Sequence, residues 1–339
     1  MQQTQVVQGL PYYLKFSEKY PKIEDLAIAP EDEVLKLWQG LGYYSRARNL
    51  HKTAKIIVEK HNGVFPNTYS GIRALPGVGD YTAAAIASFA FDLCYPVLDG
   101  NVARVVSRMF GVITPIDTAA GKAELMRVLS RNIDKKNPAE FNQAMMEFGS
   151  ICCKPRNPLC VSTSLNDRCP FQKNCYAHKH DVIETLPIKK NKIAVKPRRL
   201  DYLVCVEDDC VWVKKRTGRD IWQGLYDFPE VGTSTASTGS AASVSANIAV
   251  PADIAVVADV ELVETSPIWS CEHLLSHQKL SISFWKTEKL SKKLKSSAQK
   301  VPISQFFELA MPKPIHNFMS DYDLIAKVVK KKYSNVKKL

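Results

Sequence analysis

Between residues 7 and 150 apolar positions recur at three- and four-residue spacings, the period of helices with one buried face. EDEVLKLW (Glu31–Trp38) and SRARNLHKTAKIIVEKH (Ser45–His61) carry that period plainly, and short Gly, Pro or Asn breaks separate the segments. Glu140 to Ile151 continues it, with Gln143 and Glu147 one turn apart on the same face. After Leu200 the period changes. LDYLVCVEDDCVWVKKR predicts a β-hairpin turning at EDD, and KLSISFWKTE alternates like a half-buried strand. Between them VGTSTASTGSAASVSANIA (Val231–Ala249) has little to bury and reads as a mobile loop. The basic stretch IETLPIKKNKIAVKPRR, with two prolines, reads as a connector. No internal repeat is visible. The pattern predicts a mainly α front half and an α+β back half: a helical domain over 1–180, a linker over 181–199 and a second domain over 200–339.

Composition adds little until the charges are counted. Hydrophobic residues make up 45% and charged residues 24%, as in a soluble chain with a core. No apolar run reaches the roughly 18 residues that span a bilayer, and no signal-peptide pattern follows Met1. The expectation is a cytoplasmic monomer without a membrane partner. Lys plus Arg outnumber Asp plus Glu by 46 to 34, a net charge of +12 that suits a polyanion but is also tolerated without one. The terminal KKKYSNVKK reads as a solvated tail. Of nine cysteines, Cys152, Cys153, Cys160, Cys169 and Cys175 crowd together, which points to a metal or cluster site rather than disulfides.

Candidate chemistry begins at LPGVGDYTAAA (Leu75–Ala85). A dinucleotide-binding loop needs a strand beforehand and a third glycine; TYSGIRA is a poor strand, and Thr82 stands where that glycine would be. No Gly-Lys-Ser/Thr follows, so a P-loop fails too. A helix-hairpin-helix remains, in which Gly77 and Gly79 let the backbone approach a phosphate at a helix N-terminus. A plain structural turn fits the same residues. Some twenty residues on, VLDGNVARV places Asp99 where it could simply cap a helix.

The hairpin, the aspartate and the cysteines, in this order, resemble the helix-hairpin-helix DNA glycosylase superfamily. Within it, QQTQV (Gln2–Val6), WQGLGYYSRARNLH (Trp38–His51), LPGVGDYTAAAI, LDGNVARV and FNQAMMEFG (Phe141–Gly149) resemble adenine DNA glycosylases of the MutY type. Tyr81 occupies the position where endonuclease III-like relatives carry a Schiff-base lysine, and a phenol makes no imine. The resemblance implies a monofunctional N-glycosylase of base excision repair. Its partner is double-stranded DNA with adenine opposite 8-oxoguanine or guanine, and it flips adenine out before cleaving the glycosidic bond. It further implies that Asp99 is the carboxylate stabilising cationic character at C1′, with Tyr81 and Asn101 beside it. Glu147 and Gln143 are implied as adenine-pocket residues, Gln3 and Tyr43 as DNA contacts beside 8-oxoguanine, and Thr4 as a further DNA contact. Tyr44 is expected in the core.

Cys153, Cys160, Cys169 and Cys175 are spaced C-x6-C-x8-C-x5-C, against a family pattern of C-x6-C-x2-C-x5-C that holds a [4Fe-4S] cluster. The extra residues within VSTSLNDR suit a loop that leaves the four thiolates free to converge, with zinc or an empty site as alternatives. Cys152 is taken as a buried bystander. DIWQGLYDFPEV (Asp220–Val231) and HLLSHQKL (His273–Leu280) resemble the family's C-terminal domain, which shares the Nudix fold. No glutamate lies between Gly232 and Ile248, so this domain is expected to read a base and hydrolyse nothing. Leu275, Ser276 and His277 stand where the family has a Phe-Ser-His-like motif contacting 8-oxoguanine; an ordinary strand edge is the plainer reading of a Ser-His pair. The family's general-acid glutamate would fall before Met1. Either the natural start lies upstream, or this form is a catalytically silent lesion-binding protein of the same fold.

Overall fold

The computed structural model describes residues 4, 6–161, 169–190, 194–231 and 259–322. Gln3, the cysteine-loop insert from 162 to 168, the Ser/Thr-rich stretch from 232 and the basic tail lie outside the described residues. The chain divides into two compact units, residues 1–55 with 194–339 and residues 56–193, and the division falls inside one helix.

That helix is α4 (Ser45–His61). Ala47, His51, Ala54 and Ile57 are buried at three- and four-residue intervals, while Lys52, Lys55 and Lys60 are exposed. Before it come α1 (Val6–Lys19), α2 (Ile23–Ile28) and α3 (Glu31–Leu37). Their core is Phe16, Val34, Leu35, Trp38, Leu41 and Tyr44, joined by Leu225 and Ala310 from far along the chain. Tyr44 is indeed core, 7% exposed.

The rest of this unit is built on a mixed sheet with order β3-β2-β1-β5-β4 and β6 beside β2. Its strands are β1 (Lys196–Glu207), β2 (Cys210–Lys215), β3 (Tyr226–Asp227), β4 (Trp269–Leu274), β5 (Gln278–Thr287) and β6 (Gln299–Pro302). The predicted hairpin turns at Asp208 and Asp209, both at positive φ (49° and 58°), as a tight two-residue turn requires. β1 begins inside the stretch read as a connector, because Lys196–Arg199 pair in parallel with Gln278–Ser281 of β5. Leu200 to Cys205 are buried without alternation, since both faces of the sheet are covered. On one face Tyr202, Phe228, Phe284, Phe306 and Phe318 pack together, with Phe284 stacked on Phe318 at 4.2 Å. On the other lie Leu203, Cys205, Trp285 and Leu290.

The segment from Asp220 to Tyr226 docks on the first helices. A Cβ on Gly224, at φ +87°, would come within 2.8 Å of Leu35 Cδ1. Lys215 Nζ and the Tyr226 hydroxyl both donate to Asp32, at 2.5 and 2.9 Å, and Arg48 donates to the Gln223 carbonyl.

The second unit is helical, with α5 (Tyr69–Arg73), α6 (Asp80–Phe91), α7 (Gly100–Phe110), α8 (Ala119–Asn132), α9 (Pro138–Glu147) and the short α10 (Tyr176–Lys179). Val102, Ala103 and Val106 of α7 pack against Leu125 and Leu129 of α8. The small Ala83 and Ala87 of α6 let it close on Ile72 of α5. Among the described residues no helix is long and apolar enough to cross a membrane.

Candidate functional site

α5 and α6 are joined by a tight hairpin. Gly77 sits at φ +73°, where a side chain is strained. Gly79 caps α6, and a Cβ built on it would meet nothing within 4 Å. Nothing among the described residues demands glycine at that point. Arg73 braces the hairpin by donating to Asp80 at 2.6 Å and to the Val78 carbonyl at 2.9 Å.

The next turn of chain leads to Asp99, which caps α7 by accepting the Val102 N–H at 2.7 Å. Its second oxygen accepts from Asn101 Nδ2 at 3.1 Å. The approach to Asp99 is pinned by Asn142, a buried α9 residue that the sequence reading passed over. Its amide donates to Ser88 Oγ and the Tyr95 carbonyl, each at 2.9 Å, and accepts the Val97 N–H at 3.0 Å.

Tyr81, on the first turn of α6, is 39% exposed and points its hydroxyl at Met146 Sδ, 3.9 Å away. Burial pushes its phenol pKa up and the Asp99 carboxylate adds to the rise, so the hydroxyl stays protonated and able to donate. Gln143 and Glu147, on the same helix as Met146, are exposed. Asp99, Asn101 and Tyr81 are thus brought together, with α9 alongside.

Behind Asn101 lies a residue the sequence did not single out. Arg104 is 8% exposed and donates to Asn101 Oδ1 at 3.0 Å, the Gly149 carbonyl at 2.6 Å and the Cys153 carbonyl at 2.7 Å. Gly149 lies in a π-helical turn, Phe148–Cys152, that follows α9. A Cβ there would stand 2.7 Å from Asn101 Cβ, so only glycine lets the turn approach α7 this closely.

Cys153, Cys160, Cys169 and Cys175 line one narrow cavity with Met109, Phe148 and Phe171. Arg108, one turn beyond Arg104, reaches Cys153 Sγ at 3.5 Å and the Lys154 carbonyl at 2.7 Å, while Cys175 Sγ donates to the Arg108 carbonyl at 3.2 Å. Burial and the neighbouring sulfurs push the Cys160 and Cys169 thiols up. Cys152 is a correction: it is half-exposed and lines the same cavity, because the π-helical turn carries it there beside Cys153. Among the described residues no three His, Cys, Asp or Glu side chains gather closely enough to hold a single metal ion.

The other unit holds the remaining candidates. Ser276 and His277 are exposed in the tight turn between β4 and β5, and Leu275 packs partly against the sheet core. Leu274, just before them, is 72% exposed, an apolar side chain in the open that sequence alone could not distinguish from core. The Ser276 hydroxyl is hydrogen-bonded to that of Tyr43. Tyr43 is 55% exposed and lies at φ 47° directly after Gly42 at φ 69°. A left-handed tyrosine costs about 1–2 kcal/mol, so its surroundings must hold it there. Thr4 Oγ1 accepts from Arg46 at 2.7 Å.

Comparison with known proteins gives this arrangement relatives. Residues 1–131 match the family described as HhH-GPD superfamily base excision DNA repair protein, and residues 201–321 match the NUDIX domain. A protein named adenine DNA glycosylase from Buchnera aphidicola subsp. Baizongia pistaciae is 37% identical over 235 residues, 68% of this chain and 64% of that protein. One of the same name from Mus musculus is 39% identical over 206 residues, covering 60% of this chain and 38% of the mouse protein. The chain therefore spans less than two thirds of these relatives' length. Among solved structures, a thermostable thymine-DNA glycosylase is 28% identical with a TM-score of 0.48, over 53% of this chain and 80% of that one. An endonuclease III in a non-covalent DNA complex is 28% identical with a TM-score of 0.46, over 53% and 79%. Residues 1–131 belong to the HhH-GPD superfamily of base excision DNA repair proteins, and residues 201–321 are a NUDIX domain.

Proposed function

We propose that the protein is a monofunctional adenine DNA glycosylase that removes adenine from mispairs with 8-oxoguanine or guanine. The observation that carries this reading is the grouping of Asp99, Asn101 and Tyr81 beside the exposed Gln143 and Glu147. Adenine turned out of the duplex lies against Gln143 and Glu147, with its sugar over Asp99. As the C1′–N9 bond breaks, adenine leaves with the electron pair and C1′ becomes cationic. The Asp99 carboxylate, aimed by the Asn101 amide and the Val102 N–H, stabilises that charge until water adds its hydroxyl to C1′ and its proton passes to the departed adenine. Tyr81 cannot form an imine, so strand cleavage does not follow and borohydride traps nothing.

Duplex DNA sits on the hairpin, where the empty space before Gly79 leaves room for a phosphate at the N-terminus of α6. Tyr43, Thr4 and the Leu275–His277 turn meet the 8-oxoguanine side of the mispair. Cys153, Cys160, Cys169 and Cys175 would hold a [4Fe-4S] cluster. Bound there, such a cluster would supply a redox-active iron–sulfur cross-link among those four thiolates. A brown protein with iron and labile sulfide in equal amounts is expected; a colourless one with stoichiometric zinc rejects the cluster.

The test is single-turnover adenine release and duplex binding measured side by side, with and without Asp99→Asn. Release by the protein and loss of about 10²–10³-fold or more in the variant, with binding kept, is the expected result. Binding to mispaired DNA without release rejects the enzyme and leaves a lesion-binding protein.

A further inference from the structure

Arg46 has no part in the chemistry above, yet its guanidinium gathers nearly everything around Tyr43. Nη2 donates to the carbonyls of Leu41 and Gly42, both at 3.1 Å, and Nη1 donates to Thr4 Oγ1 at 2.7 Å. The guanidinium carbon stands 5.6 Å from the centre of the Tyr43 ring and 5.4 Å from that of Trp38. Trp38 Nε1 donates to the same Gly42 carbonyl at 3.1 Å. The Arg46 N–H closes the turn on the Tyr43 carbonyl at 2.9 Å. One planar group thus grips the backbone just before Tyr43 and lies against the tyrosine ring. It also ties in Thr4, another residue assigned to the DNA.

We propose that Arg46 is the positioning residue for Tyr43. It fixes the phenol beside Ser276 before DNA arrives, so that the ring enters the duplex next to 8-oxoguanine without first reorganising. The proposal rests on the reading of Tyr43 as a residue that inserts beside the lesion. A flat fork with several donors can hold two carbonyls and a ring at once; an ammonium cannot. Preorganisation of this kind appears as selectivity, because ordering the ring no longer subtracts from binding.

The experiment uses duplexes with a hydrolysis-resistant adenosine analogue opposite 8-oxoguanine or guanine, and 2-aminopurine beside the lesion. Two quantities are read: the fluorescence change on binding, which reports unstacking by an inserted ring, and the ratio of dissociation constants for the two duplexes. Arg46→Lys and Arg46→Gln are each compared with the parent and with Tyr43→Ala, alone and combined. Either Arg46 variant should lower the 8-oxoguanine preference by about tenfold, the scale of a cation–π contact together with charge-assisted hydrogen bonds. It should shrink the fluorescence change and cause no further loss when Tyr43 is already alanine. A thermal midpoint close to the parent's separates positioning from general support. If Tyr43→Ala lowers both quantities and Arg46→Lys neither, the proposal is wrong. Losses that simply add would make Arg46 a contact in its own right and also overturn it. Should Tyr43→Ala change nothing, the insertion reading fails first, and the proposal falls with it.

Discussion

The surroundings of Asp99 and those of Ser276 are built on opposite plans. Asp99 is held by its own neighbours: Asn101 lies two residues away and Val102 three, and Arg104 backs them on the next turn. Ser276 is hydrogen-bonded to Tyr43, 233 residues distant, and the Tyr43 ring lies under Arg46, whose guanidinium also reaches Thr4 and the Gly42 carbonyl that Trp38 shares. The carboxylate is set by a helix cap, which forms with the helix. The Ser276 surface is assembled from parts that only tertiary structure brings together. The immediate hold on Asp99 is local, whereas the hold on Ser276 joins residues far apart in sequence.

The comparison breaks most sharply at Arg104. Replacing it with methionine leaves the Gly149 and Cys153 carbonyls and Asn101 Oδ1 without a buried donor, which should cost about 2–4 kcal/mol of stability. Adenine release and iron content should fall together, while the 8-oxoguanine preference of the remaining active protein stays put; a fall in preference would join the two plans into one. Gly149→Ala tests the same side with one methyl group. The clash with Asn101 should cost about 1–3 kcal/mol and slow release. A thermal midpoint and rate equal to the parent's would mean that the turn yields freely.

On the other side, Ser276→Ala with His277→Ala removes exposed groups and should leave the melting temperature alone. It should lower 8-oxoguanine preference about two- to tenfold, the range of a net hydrogen bond. Equal discrimination by the double variant would remove this turn from the reading surface. The smallest effect concerns Asp220, whose carboxyl is held down at about 2, chiefly by the Arg198 guanidinium at 2.6 Å. Its folded-state pKa lies below the unfolded value, so the stability it contributes is present above about pH 4 and disappears as pH falls toward 2. With the pair about a third exposed, Asp220→Asn should cost about 1 kcal/mol or less at neutral pH. The difference between parent and variant, followed by thermal melting, should close on acidification; a constant gap would show that Asp220 acts through packing.

How far the sequence could be read follows the same division. α4 runs from Ser45 to His61 as its periodicity predicts, and Asp99 caps α7 as its place before Gly-Asn suggests, because caps and helical faces are local. Lys196–Arg199 looked like connector because a strand paired in parallel with a distant partner has no turn to announce it. Arg46, Arg104 and Asn142 lay inside quoted motifs without any role. Their work is to join backbone carbonyls and side chains whose proximity no spacing rule reveals. Cys152 was misjudged because one π-helical turn shifts which residues face inward.

Asn142 gives this architecture an all-or-none character. Its side-chain amide is satisfied only when α6, the segment Tyr95–Val97 and α9 are all in place. A chain with two of the three assembled carries a buried amide short of partners, a deficit on the order of 1–3 kcal/mol that disfavours half-built states. The segment leading to Asp99 is therefore scarcely populated in a loosened form. The protein is expected to lose its carboxylate geometry by unfolding cooperatively, with little accumulation of slack, partly active intermediates.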